Sequence, residues 1–318
     1  MSDCCRMRRL MTWACACLLS ALACCAARGG ERVVPQYPPP AGKLRVIIDT
    51  DAACEVDDQY ALALALLSPE RFQIEGIVAA HFGDAGGPQG IDKSLAEIQR
   101  VLAAAGHSGK YPVKRGSPPF RYSQVPEPSP GVDLIIERAL DPDESEPLWV
   151  ISLGACTDLA VAWLQEPRIK DHVVAFWHGR TRWPEKCWNF NAYNDLKAVR
   201  ILFQSELPLI LFDTGTHLTC PMEECRERIR PHGELGRYLH DIRLRGKGFQ
   251  AATKGFFDLG DVAAVVDPSL VEFEVVPAPS VNWDMLYDHS KTHGKKVRIY
   301  SVDRDRTFNL LEKQLKAQ

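Results

Sequence analysis

Four aspartates and a glutamate fall within ten residues, Asp49-Thr50-Asp51-Ala52-Ala53-Cys54-Glu55-Val56-Asp57-Asp58. Carboxylates this close raise one another's pKa and cost stability unless something offsets their repulsion. Helix capping accounts for part of the pattern, because Asp57 and Asp58 open a helix-period run and acids are favoured at a helix N-terminus. It does not account for Asp49 and Asp51, which follow directly on the apolar run Leu44 to Ile48. A bound divalent cation does. Hard oxygen ligands point to Ca²⁺ or Mg²⁺ rather than zinc or copper, and the spacing is not that of an EF-hand loop. Zinc would need clustered Cys and His ligands, which are absent.

The elements that must position these groups alternate along the chain. Strand-length apolar runs are followed by helix-period segments: Leu44 to Ile48 by Asp57 to Leu67, Gln73 to Ala79 by Ser94 to Ala105, Leu148 to Leu153 by Thr157 to Leu164, Val173 to Trp177 by Asp195 to Gln204, and Leu207 to Phe212 by a helix around Glu223 to Ile229. Alternation of this kind predicts an α/β fold, a mostly parallel, Rossmann-like open sheet with helices on both faces. No repeat, low-complexity tract or composition break divides residues 43–318, so a single domain is expected. Ligands of such sheets sit beyond the carboxyl ends of the strands, where Asp51 falls.

The chain has 318 residues, 46% hydrophobic and 25% charged, with a net charge of −3. This excludes a disordered protein and lacks the broad basic field of a nucleic-acid binder, so the expected partner is a small molecule. Residues 1–27 read as a leader for export to the periplasm or cell exterior, with Arg6, Arg8 and Arg9 before a short apolar run. Ala21-Leu22-Ala23-Cys24 resembles a lipoprotein box, so a lipid anchor at Cys24 and free secretion both stand, and no other membrane contact is expected. Residues 28–42, with Pro35, Pro38, Pro39 and Pro40, read as an extended linker. Six of the eleven cysteines lie in the leader. Of the other five, Cys220 and Cys225 are close enough in sequence for a bridge, although small buried hydrophobes are the simpler reading.

The stretch DTDAACEVDDQYALALALL resembles the opening of the inosine-uridine nucleoside hydrolases, in which DTD, a short loop and DD lead into a helix. Further segments follow in the family's order. Gly76 to Asp84 resembles its second strand and turn, Ile151 to Ala160 its TGPLTNLA segment, Trp188-Asn189-Phe190-Asn191 with Asp195 its EFN motif, and Phe257 to Leu270 its HDPLAVAYLIDPSL stretch.

The resemblance implies Ca²⁺ held by Asp51, Asp58, Asp258 and the backbone carbonyl of Leu153, with Asp51 also the general base toward the attacking water. Asp57, Asn189 and Asn191 are implied as contacts of the ribose, and Asp84 joins the substrate-binding set. Asp258, which precedes the helical run Val262 to Val266, could serve as a cap and a ligand at once. Trp183, beside Arg180 and Arg182, is the candidate to stack on the base. The implied reaction is hydrolysis of an N-ribosidic bond, and family members suggest a homo-oligomer.

Three positions depart from the family pattern. The loop from Asp51 to Asp57 is two residues longer and carries Glu55, the Glu of EFN is Asn189, and the His before the late Asp is Phe257, which cannot donate a proton to a leaving base. His81, His178 and His217 follow strands and are the alternative acids. Two other readings stand: a calcium-dependent sugar or nucleoside binder without catalysis, and a phosphohydrolase of the haloacid dehalogenase type, for which the Asp57-Asp58 pair lies too early.

Overall fold

The computed structural model describes residues 32–120, 128–245 and 252–318. Strand β1 (Leu44–Thr50) leads to α1 (Asp57–Leu66), and β2 (Phe72–Ala79) to α2 (Gly83–Gly86) and α3 (Gly90–Ala104). The pattern continues with β3 (Val113–Arg115) and α4 (Pro130–Ala139), β4 (Leu148–Ser152) and α5 (Thr157–Gln165), then β5 (Val173–His178) with α6 (Phe190–Asn194) and α7 (Leu196–Gln204). Beyond β6 (Leu209–Phe212), a small antiparallel ribbon of β7 (Thr219–Pro221) and β8 (Thr253–Gly255) brackets α8 (Met222–Arg228) and α9 (Gly233–Ile242). The chain closes with α10 (Leu259–Val266), β9 (Val271–Val281), β10 (Tyr287–Val302) and α11 (Arg304–Lys316).

The main sheet has the order β3-β2-β1-β4-β5-β6-β10-β9, parallel throughout except for the β9 edge. Successive side chains of a strand face opposite ways, and they divide here between two cores. Val46, Ile48, Ile77, Ala79, Trp149 and Ile151 meet α1, α3, α10 and α11 on one face. Ile47, Val78, Leu148 and Val150 meet α4, α5 and α7 on the other. Burial on both faces is why these strands read as continuous apolar runs rather than alternating ones, and each such aliphatic side chain contributes roughly 1.5–3 kcal/mol. Helix α1 is buried at every residue. Its opening acid pair therefore enters the interior rather than solvent.

The strand order turns back between β1 and β4, which opens a crevice beyond their carboxyl ends, the usual ligand site of a doubly wound sheet. Asp49 of β1 pairs with Ser152 of β4, so Asp51 and Leu153 emerge side by side at that point.

Several boundaries differ from the sequence reading. Helix α3 starts at Gly90 rather than Ser94, and β6 starts at Leu209 because Pro208 has no N–H for the ladder. The hairpin β9–β10 was not expected, since Pro277 and Pro279 speak against a strand; β9 tolerates them as an edge with register shifts. The described part of the expected linker, residues 32–42, forms no helix or strand and is bound to the domain. The Arg32 guanidinium donates to the carbonyls of Leu202 (2.6 Å), Phe203 (3.1 Å) and Ser205 (2.9 Å), closing the C-terminal end of α7. The Tyr37 hydroxyl donates to the Ala264 carbonyl at 2.9 Å. Linker-like composition cannot distinguish such a strap from a free tether. The five cysteines among the described residues are all unbridged. The leader and Cys24 lie outside the described residues. Among the described residues no helix is long and apolar enough to cross a membrane.

Candidate active site

A cleft opens at the crevice, and Asp51, Asp57, Asp58, Leu153, Asn189, Asn191 and Asp258 all line it. They arrive from five places: the end of β1, the start of α1, the end of β4, the segment that enters α6 after β5, and the residue before α10. The carboxylates of Asp57, Asp58 and Asp258 lie close enough to share one ion.

Capping does not explain them. The N-cap of α1 is Val56, without a side-chain bond, and Asp258, at the N-cap of α10, makes no side-chain cap bond either. Asp57 instead reaches across the cleft floor, where its Oδ2 accepts from the backbone amides of Phe257 (3.0 Å) and Asp258 (3.4 Å). Asp58 accepts from the Thr50 hydroxyl. Leu153 has its carbonyl oxygen at 2.6 Å from the Asn191 amide, which also reaches the His178 carbonyl at 3.4 Å.

Burial, and after it mutual repulsion, pushes Asp58 and Asp258 well above the usual carboxylate range. Asp51 is pushed up to about 8, by burial first and then by Asp57. Asp57 is also raised by burial, although Lys254 opposes the shift. The described cations nearby are few: Lys254 is paired with Glu55 and Arg180 lies over the Phe257 ring at the lining, while His178 bonds Asp261 at 2.6 Å and lies 3.4 Å from Asp258. Buried acids left with so little positive charge must take up protons or a cation. An all-oxygen donor set of this kind fits a hard dication such as Ca²⁺.

Asp49 behaves differently from the sequence reading, which assigned its repulsion to a cation. It lies beneath the cleft, buried, accepting from the Ser152 hydroxyl at 2.8 Å, and burial followed by the charge of Asp158 holds it well above the usual carboxylate range. Asp158 in turn accepts from the Ser117 amide at 2.7 Å and is pushed up to about 7, chiefly by burial. Two neighbouring buried carboxyls favour the protonated form, so protonation rather than a cation relieves the charge of Asp49. The partner, Asp158, lies too far along the chain for local spacing to reveal it.

Other candidates also moved. Trp183 does not line the cleft: its ring packs edge-on against Tyr287 and His289, with Lys296 Nζ 4.5 Å from its centroid. The aromatic rings facing the cleft are Phe190 and Phe257. Asp84 is exposed on the short helix α2, away from the lining. Asn189 does line the cleft, but its amide is committed to the carbonyls of Gly179 (2.8 Å) and Cys187 (3.2 Å), and its Oδ1 accepts from Ala192 N at 2.9 Å. Of the three histidines, His178 alone reaches the lining. His81 bonds Thr157 Oγ1 at 2.7 Å, and His217 bonds the Val302 carbonyl. Asp261, the partner of His178, was missed in the sequence because it sits inside an apolar helical run.

Fold and cleft together define an α/β protein with an acidic, cation-ready centre at the switch point of its sheet. The chain belongs to the inosine-uridine preferring nucleoside hydrolase family, whose family model matches residues 46–309. It is 28% identical over 196 residues to the pyrimidine-specific ribonucleoside hydrolase RihA of Salmonella schwarzengrund, an alignment that covers 53% of this chain and 59% of that relative. Its fold is similar to that of a plant nucleoside hydrolase, with TM-score 0.67 and 20% identity, covering 88% of this chain and 100% of that one. It is also similar to the purine-preferring ribonucleoside hydrolase from Gardnerella vaginalis, with TM-score 0.66 and 21% identity over 86% and 98% of the two chains.

Proposed function

We propose that the protein hydrolyses the N-glycosidic bond of a ribonucleoside or related N-riboside, with Asp51, Asp58, Asp258 and the Leu153 carbonyl holding Ca²⁺. The observation that carries this reading is the convergence of buried carboxylates from distant parts of the sequence on one cleft, with so little positive charge nearby. When bound, the ion supplies the charge that offsets this repulsion, orients sugar hydroxyls and makes water more acidic.

The chain's own residues do the remaining work. Asp51 takes the proton of the water that attacks the anomeric carbon. Asp57 has one oxygen fixed by two backbone amides, so its other oxygen is aimed and free to accept a ribose hydroxyl. Asn191 commits its NH₂ to two carbonyls, which leaves its Oδ1 as a second acceptor. As the base departs, positive charge spreads over the ribose ring, and the carboxylate-lined floor stabilises it. The relatives' names include purine-preferring and pyrimidine-specific enzymes, so the base is left to experiment.

Release of free ribose from a panel of purine and pyrimidine nucleosides, with and without chelator, tests the proposal. Release that stops on chelation and returns with Ca²⁺ is expected. The second reading, a calcium-dependent binder, is favoured by Phe257 standing where a proton donor would be; tight nucleoside binding without any ribose release would establish it.

A further inference from the structure

Breaking an N-glycosidic bond leaves positive charge on the sugar and sends an electron pair out with the base, so a site for it needs negative charge under one product and positive charge by the other. The acids supply the first. For the second, Arg180 lines the cleft, and its guanidinium has no carboxylate or carbonyl partner among the described residues. Lys254, close by, is neutralised by Glu55. Arg180 lies over the ring of Phe257, with Cζ 3.9 Å from its centroid. Both residues are held from behind: the Arg180 amide donates to the Phe212 carbonyl at 3.0 Å, and the Phe257 amide donates to Asp57. Gly255 is required here, because a Cβ there would run into the Phe257 ring. A guanidinium stacked on an aromatic face keeps its edge donors free for a planar anion.

We propose that Arg180, supported by Phe257, is the catalytic residue that stabilises the leaving base as an anion. The proposal rests on the hydrolase reading above. The C1′–N bond breaks with its electron pair passing to the base nitrogen, and water forms the new C1′–O bond as its proton goes to Asp51. The guanidinium binds the departing anion, and that anion takes up a proton from solvent as Asp51 returns its own. Because Arg stays charged across the working pH range, the step needs no acid at position 257.

The test uses the full chain with Ca²⁺, comparing wild type, Arg180→Gln and Arg180→Lys on ribosides whose leaving groups run from purines to 4-nitrophenolate. For Arg180→Gln, kcat/KM is expected to fall about 10²–10³-fold on nucleosides, the loss typical of one transition-state donor, and less than about tenfold on 4-nitrophenyl riboside. The dependence on leaving-group pKa becomes steeper, Arg180→Lys recovers part of the loss, and Ca²⁺ affinity by calorimetry is unchanged. An equal fall on every substrate, no fall, or loss of Ca²⁺ binding overturns the proposal while the hydrolase reading stands. If wild type releases ribose from no substrate, the hydrolase reading fails and takes this inference with it.

Discussion

Asn191 donates its side-chain amide to the Leu153 carbonyl at 2.6 Å, so one lining residue of the cleft fixes the backbone oxygen of another. In the proposed function this bond couples metal and sugar through a single side chain. Outer groups of this sort orient the atoms that touch the ion and typically carry 10–100-fold in affinity or activity. Asn191→Leu, which keeps the bulk and removes both bonds, is expected to weaken Ca²⁺ binding by about tenfold and to raise KM as well. Calorimetry with Ca²⁺, alongside ribose-release kinetics at saturating Ca²⁺, separates the two effects.

Asp258→Asn removes one charge from the crowded floor. Without Ca²⁺, its thermal midpoint should equal or exceed that of wild type, because Asp258 is already held far above the normal carboxylate range by burial and by Asp57. Addition of Ca²⁺ at 100-fold over its Kd should stabilise wild type by about 2.7 kcal/mol and the variant far less. The ion must displace protons, so wild-type affinity should fall as the pH drops through about 8, where Asp51 titrates. Melting curves with and without Ca²⁺ at several pH values read both effects.

Lys296 is fully buried, its Nζ enclosed by Trp183 and Phe203 at 4.5 Å and by Tyr287 at 5.1 Å, with no hydrogen-bond partner. Burial lowers its pKa from 10.5 to about 7. The unfolded chain therefore binds the extra proton between those two values, and stability rises with pH across that window; below about 7 the cost is complete and constant. Lys296→Met should stabilise the protein by on the order of a few kcal/mol at neutral pH and below, less whatever the three rings return by cation–π attraction. The gain should shrink toward pH 10. Denaturant titrations at pH 6, 8 and 10 check it, and a gain independent of pH would refute it.

Much of this was legible in the chain because the buried strands advertise themselves. The runs Leu44 to Ile48 and Leu148 to Leu153 are apolar on both faces, and that fixes them as central parallel strands with Asp51 and Leu153 at their tips. The acid loop was equally visible, since nothing local neutralises Asp51, Asp57 and Asp58. What escaped depended on contacts distant in sequence. The repulsion between Asp49 and Asp158 and the bond from Asp57 to the backbone before α10 have no signature in local spacing. Trp183 was misplaced for a related reason: an aromatic residue in a loop looks the same whether it meets a base or, as here, covers a buried lysine. The β9 edge was hidden by its prolines, and the strap at Arg32 by its own.

The amides that Asp57 grips belong to residues 200 and 201 positions further along the chain. During synthesis Asp51, Asp57 and Asp58 therefore leave the ribosome long before the backbone that Asp57 grips, and the proposed cation site is incomplete until Asp258 has followed. A product truncated upstream of that residue would keep most of the sheet yet have neither the stitch nor the last ligand. If the proposed site holds its ion, capture of that ion would come late in synthesis, once the chain has been carried through to its final third.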